Sequence, residues 1–319
     1  MTTPQAKGVV SEEHPLSLRN GGLSASWWAR RYSQAGPDVA LALGTDLDAC
    51  AIGPTRPVPG DAGARLIHVD LDPQVFHRNV PTALPIVAEL VDFARQLREH
   101  VEREGLRSPR GRALADQLRA TSPFDVPEFA DDDRPQLAPH RAIADLERAA
   151  GPDARFVWDI GEHMLFALHY LTARRPDAFT LHLGFGSMAS GIAGAIGQAI
   201  GDPSRRVVCI CGDGGMQMAG MELLVAARER LPIVYAVFNE ARYNMVHHGT
   251  QQLYGRAVGW ETPWIDFEAW ARSFGVAGAG IFIAAILPSS HAEVAKKNLR
   301  AAPGVHQLQA VEAQASIST

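Results

Sequence analysis

RVVCICGDGG, residues 206–215, and IVYAVFNE, residues 233–240, decide the fold between them. Each opens on a short β-branched apolar run of the kind that suits a strand buried on both faces of a parallel sheet. From Met218 to Glu229 the apolar spacing turns helical, so the glycines are expected in a strand-to-helix turn. Such a turn offers unpaired backbone N–H groups and the positive end of a helix dipole, which favour an anionic phosphate, and glycine lets a ligand approach the backbone closely. Asp213 can hold a hard cation that bridges phosphate oxygens. Asn239 and Glu240 would bring two more oxygen donors to the same sheet edge, at the carboxyl ends of strands where open α/β sheets bind ligands.

A lone GDGG is an ordinary turn; the second motif gives it meaning. Asp213 and Glu240 stand 27 positions apart. The pair resembles the thiamine diphosphate signature of the acetolactate synthase and pyruvate decarboxylase family, a GDG followed at this spacing by a paired Asn. The resemblance implies that Asp213, Glu240 and the backbone carbonyl of Arg242 hold Mg²⁺, while Gly212, Gly214 and Gly215 cradle the diphosphate. Glu240 stands where the family has a neutral Asn. In DIGEH, residues 159–163, His163 falls on a family His that touches the diphosphate, and Glu162 replaces a family Gln beside it. LGFGSM, residues 183–188, resembles the turn in which a bulky side chain bends the cofactor into a V. Met188 takes that place beside Ser187, and the Gly186 carbonyl would accept from the cofactor's 4′-amino group. Tyr243, Asn244 and Met245 follow the metal turn and are implied as cofactor contacts. Val246 is aliphatic where decarboxylases of the family place a catalytic Glu, which favours a carboligase. His247 and His248 are candidates for relaying protons near neutral pH.

The expected fold class is α/β: a doubly wound parallel sheet of thiamine diphosphate-binding type, preceded by a partial Rossmann-like middle domain. Residues 1–104 carry strand-like runs at Val39–Gly44 and Arg65–Pro73 and a helix from about Val87 to Glu102. With Lys7-Gly8-Val9-Val10 and Glu13-His14-Pro15-Leu16, they resemble the second half of the family's middle domain. Some members hold flavin adenine dinucleotide there through an Arg-bearing turn, which reads Gly44-Thr45-Asp46-Leu47-Asp48 here and so argues against FAD. Residues 105–137, charged and proline-bearing, read as a linker. Residues 138–280 form the pyrophosphate-binding domain, with a helix at Ala142–Ala150 and a strand at Arg155–Trp158. The tail, 281–319, has no assigned structure.

Among 319 residues, 46% are hydrophobic and the net charge is −5, from 30 basic and 35 acidic side chains. With no basic block, neither nucleic acid nor an anionic membrane is an expected partner. The start of the chain does not read as a signal peptide and no apolar run is long enough to span a bilayer, so the expected location is cytoplasmic. Cys50, Cys209 and Cys211 make no disulfide framework. The family's activating glutamate belongs to a pyrimidine-binding domain. The expectation is therefore a pyrophosphate-binding subunit that acts on a 2-oxo acid and takes its activating glutamate from a partner chain carrying that domain, assembled as a heterotetramer or as a self-dimer. The alternative is a non-catalytic homologue that only binds or regulates a partner. A Rossmann dinucleotide site is disfavoured because GDGG lacks the G-x-G-x-x-G spacing.

Overall fold

The computed structural model describes residues 1–53, 65–131, 138–276 and 311–312. The chain divides into two compact units, one of Met1–Pro127 with Thr172–Pro176, the other of Glu128–Leu171 with Asp177–Thr319. The first contains α1 (Trp27–Gln34), β1 (Val39–Leu43), α2 (Ala49–Ile52), β2 (Arg65–Asp70), β3 (Leu84–Val87), α3 (Leu90–Arg103) and α4 (Pro109–Arg119). Its three strands form a parallel sheet in the order β1-β2-β3. The helix expected from Val87 begins at Leu90, because the preceding LPIV pairs as β3, with Pro85 opposite His68. Proline cannot donate to a ladder, and an edge strand tolerates it.

Residues 105–137 are more than a linker. They carry α4, whose Ala115 and Leu118 are buried with Trp28 of α1 and Leu18. The Trp28 indole donates to the Thr121 carbonyl at 2.9 Å, and the Arg119 guanidinium lies 4.7 Å over the same ring. Near the amino terminus, buried Glu12 accepts from Lys7 at 2.6 Å and from the Ala173 N–H at 2.8 Å, with Arg19 at 3.3 Å. In the Gly44–Asp48 turn, the Thr45 carbonyl is bonded to the His68 ring, the Thr45 hydroxyl accepts from Leu47, and the Asp48 carboxylate caps α2 through Ala51.

The second unit contains α5 (Pro139–Ala150), β4 (Arg155–Trp158), α6 (Glu162–Tyr170), β5 (Phe179–Leu181), α7 (Ser190–Gly201), β6 (Val207–Gly212), α8 (Asp213–Ala219), α9 (Leu223–Arg228), β7 (Ile233–Phe238), α10 (Asn244–Tyr254), α11 (Phe267–Ser273) and β8 (Val311–Glu312). The sheet order is β5-β4-β6-β7-β8, with all pairings parallel except the last. The rest of the 281–319 tail lies outside the described residues. Val207, Cys209 and Cys211 of β6 join a core with Ile192 and Ala195 of α7 and Met216 of α8, and Val208 and Ile210, which alternate with them, are equally buried. Burial on both sides is why this run reads as continuously apolar rather than alternating. Cys209 and Cys211 serve there as small apolar side chains.

The chain passes from β4 to β5 on one side and returns to β6 on the other. That reversal between β4 and β6 is a topological switch point, where diverging connections open a crevice outside the carboxyl ends of the strands. Residues 159–163 and 212–215 lie on its two sides.

Candidate functional site

The crevice is a cleft of about 660 Å³, lined by the turns after β4, β6 and β7 and by Met188. Glu162, His163, Met188, Gly212, Asp213, Gly214, Gly215, Glu240, Arg242, Tyr243, Asn244 and Met245 line it, joined by Ile160, Phe166 and Phe238, which the sequence did not single out. Gly186, Ser187, His247 and His248 are not among its lining residues.

The GDGG turn differs from its expected form. α8 begins at Asp213 itself, so the glycines form its first helical turn instead of a preceding loop, and the helix gives way at Gly220, before α9. Gly220 sits against the Trp270 ring, where no Cβ fits. Gly214 faces Tyr243 and Met188, and a Cβ there would lie 2.5 Å from a Tyr243 ring carbon and 2.9 Å from the Met188 methyl. Glycine therefore keeps the floor of the cleft open between those two walls.

Asp213 is buried, and its carboxylate binds its own neighbourhood. Oδ1 accepts from the Gly214 N–H at 2.8 Å, and Oδ2 from the N–H groups of Glu240 and Arg242, each at 3.2 Å. Burial raises its pKa, and those donors oppose the rise. Through them Asp213 fixes the β7 turn beside it. Asn239 points elsewhere: its amide donates to the Ile265 carbonyl at 2.9 Å, so only Glu240 of the pair reaches the cleft.

Glu240 is nine-tenths buried, and its Oε2 has no hydrogen-bond partner; the nearest cation is the Arg242 guanidinium at 4.0 Å. Burial first, then repulsion from Glu162, push its pKa up to about 8, against the attraction of Arg242. Arg242 Nε donates to Asn244 Oδ1 at 2.5 Å, and the Arg242 carbonyl accepts from the Asn244 N–H at 2.9 Å, with a second lone pair left over. The Asn244 amide nitrogen is buried without a partner at the same wall.

His163 is buried against Phe238, with ring centroids 5.9 Å apart. Its Nε2 lies 3.1 Å from the Asp159 carbonyl, and burial pushes its pKa down to about 4. The ring is therefore neutral, and its donor is committed to a backbone oxygen. The expected donation from this His to a phosphate is not available from Nε2. Glu162 lines the cleft, and its Oε1 is 2.7 Å from Nδ1 of His248. His247 stacks edge-on against His248 at 5.4 Å, its Nδ1 is buried without a partner, and burial with the nearby Arg242 lowers its pKa.

One structural residue escaped the sequence reading. Asp159 is fully buried at the end of β4, accepts from the Gly191 N–H at 3.2 Å, and presents Oδ2 to the backbone of Gly215, where a side chain would collide with it. Its pKa is raised by burial. It joins the turn after β4 to the start of α7 and crowds Gly215 without bonding to it; the available signal was an acidic residue ending an apolar strand just before a glycine turn.

One switch-point cleft thus brings together a helical glycine turn, two buried carboxylates and an unpartnered amide. The chain belongs to the thiamine pyrophosphate enzyme family. Its residues 1–97 match the family model for the thiamine pyrophosphate enzyme central domain, and residues 159–307 match that for the C-terminal TPP binding domain. A probable acetolactate synthase large subunit of Methanocaldococcus jannaschii is 27% identical over 285 residues, covering 86% of this chain and 47% of that protein. The putative acetolactate synthase large subunit IlvB2 of Mycobacterium tuberculosis is 30% identical over 249 residues, covering 76% and 43%. The probable chloroplastic acetolactate synthase 2 of Oryza sativa subsp. japonica is 26% identical over 328 residues, covering 97% and 48%. The chain thus spans about half the length of the curated relatives it matches. No helix among the described residues is long and apolar enough to cross a membrane.

Proposed function

We propose that this chain binds thiamine diphosphate through a divalent cation in the β4–β6–β7 cleft. It would supply the diphosphate half of an acetolactate synthase-like enzyme that decarboxylates a 2-oxo acid and joins the remaining fragment to an acceptor. The observation that carries this reading is the unpartnered Oε2 of Glu240, nine-tenths buried in the same cleft as Asp213. Among the described residues no group of three His, Cys, Asp or Glu side chains could hold a metal, so protein side chains alone make an incomplete shell. Two carboxylates, the Arg242 carbonyl and two phosphate oxygens would make a set of hard donors suited to Mg²⁺.

In this reading Gly212, Gly214 and Gly215 admit the diphosphate to the backbone, and the Asn244 amide donates to a phosphate oxygen. Met188 and Tyr243 flank the ligand above the glycine turn, while His163 forms a neutral wall. Bound there, thiamine diphosphate supplies a nucleophilic carbon and an electron sink. Val246 presents no acid at the site, in keeping with carboligation. A partner polypeptide with a pyrimidine-binding domain would supply the activating glutamate; the lengths of the relatives support a requirement for more protein than these residues.

Calorimetry tests the cation assignment. Asp213→Ala should abolish Mg²⁺-dependent thiamine diphosphate binding, and Glu240→Asn, which keeps an oxygen donor, should leave it largely intact. Unchanged binding by Asp213→Ala refutes the assignment. Binding without CO₂ release from any 2-oxo acid, even with the pyrimidine-binding partner, favours a non-catalytic binding subunit.

A further inference from the structure

Glu162 stands in the first turn of α6 and lines the cleft, yet it is bonded to His248, a residue 86 positions away on α10. A carboxylate can only accept, so the proton in that 2.7 Å bond belongs to Nδ1 of the imidazole. This fixes the tautomer: in the neutral ring the lone pair is on Nε2, the nitrogen away from Glu162. The His248 side chain is 48% exposed and lies outside the cleft lining, while Glu162, 23% exposed, belongs to it, so the ring stands on the solvent side of an anchor held in the wall. The charged and titratable groups around the pair are His247, stacked on His248, and Arg242 and Glu261, which act on His247; Glu240 lies deeper and is repelled by Glu162.

A side chain oriented by a carboxylate, with its second nitrogen free beside a substrate cleft, is a general acid–base arrangement. We propose that Glu162 is a positioning residue for His248 rather than a contact of the diphosphate, and that His248 exchanges protons with a carbonyl substrate at the mouth of the cleft. This rests on the carboligase reading above. When the new carbon–carbon bond forms, the π electrons of the acceptor C=O move to its oxygen, which takes the proton from Nε2 of protonated His248. As product leaves, the donor hydroxyl would return its proton to Nε2, the freed O–H pair would form the new C=O π bond, and the bond holding the donor fragment would break with its electron pair going to the carrier carbon of the cofactor. The proton count closes with no oxidant or further acid.

The test uses the full chain labelled with ¹⁵N-histidine. Long-range ¹H–¹⁵N correlation should show neutral His248 in the Nδ1–H form in the wild type and in Glu162→Gln, whose amide oxygen still accepts; Glu162→Ala should shift it to Nε2–H. Carbethoxylation by diethyl pyrocarbonate, mapped by mass spectrometry, should modify His248. Mg²⁺, thiamine diphosphate and pyruvate together, at about ten times their Kd, should slow that modification about tenfold, with Mg²⁺ and thiamine diphosphate alone as the control. Calorimetry should show Glu162→Ala binding Mg²⁺–thiamine diphosphate no more weakly than wild type, because the carboxylate it removes only repels Glu240 there. An Nε2–H tautomer in the wild type, or a tenfold affinity loss in Glu162→Ala, overturns the positioning role. Cofactor binding without protection by pyruvate overturns the proton role alone. No cofactor binding by the wild type overturns the functional reading and the proton role with it, while the tautomer measurement still decides whether Glu162 positions His248.

Discussion

Glu240 makes the folded protein's stability fall as pH rises when no divalent cation is present. Its carboxyl is buried beside Asp213 with an unpartnered Oε2, and burial and Glu162 lift its pKa from 4.5 to about 8. Between those values the folded chain keeps a proton that the unfolded chain has released, so the unfolded state binds fewer protons and stability decreases with pH. At about 1.36 kcal/mol per pH unit, the ceiling on the loss is about 5 kcal/mol, reduced by whatever water enters the cleft. Glu240→Gln keeps the shape and removes the titration. Urea denaturation of wild type and variant in chelator, at intervals from pH 5 to 8.5, should show the variant gaining relative to the wild type with a slope approaching about 1.4 kcal/mol per unit. Added Mg²⁺ should flatten the difference, because a bound cation replaces the proton. Parallel stability curves for the two proteins across that range would refute the burial argument.

His163 should behave in the opposite sense. With its pKa lowered to about 4, it stays neutral while the unfolded ring titrates near 6.5, so stability is lost as pH falls from 6.5 towards 4, and its NMR shifts should not move above pH 5. Gly191→Ala would put a Cβ 2.5 Å from the Asp159 backbone nitrogen and 2.6 Å from the Trp158 carbonyl carbon. Neither can move without breaking β4, so thermal unfolding should drop by the equivalent of about 1–3 kcal/mol or more, and an unchanged Tm would contradict the α7–β4 packing. Glu12→Gln leaves Lys7 and Arg19 without their shared carboxylate in a buried site and should cost about 3–5 kcal/mol by denaturation. A loss under about 1 kcal/mol would mean that the cluster is already solvated in the folded state.

Much of the second unit was legible because its signals are local. RVVCIC and IVYAVF are strands because β-branched runs of that length favour extended chain, and the glycines and acids that end them fall at strand ends wherever the sheet forms. β3 was hidden by Pro85, and α4 by the charge and proline around it; in both cases a partner elsewhere, β2 or Trp28, supplies what the local sequence lacks. The start of α8 at Asp213 was misread because two glycines argue against helix, yet the walls made by Tyr243 and Met188 leave room for nothing larger.

By itself the sequence determined the alternation of strands and helices and the three strand-end turns, which follow from backbone preference and apolar periodicity, and the spacing of Asp213 and Glu240, which carries the family resemblance. The tertiary structure alone decided what those side chains do. Burial holds a proton on Glu240 and keeps one off His163, Asp213 spends its oxygens on three backbone N–H groups, Asn239 turns to Ile265, and Glu162 finds His248. Desolvation and hydrogen-bond partnership depend on residues brought together from distant parts of the chain, and no local pattern encodes them.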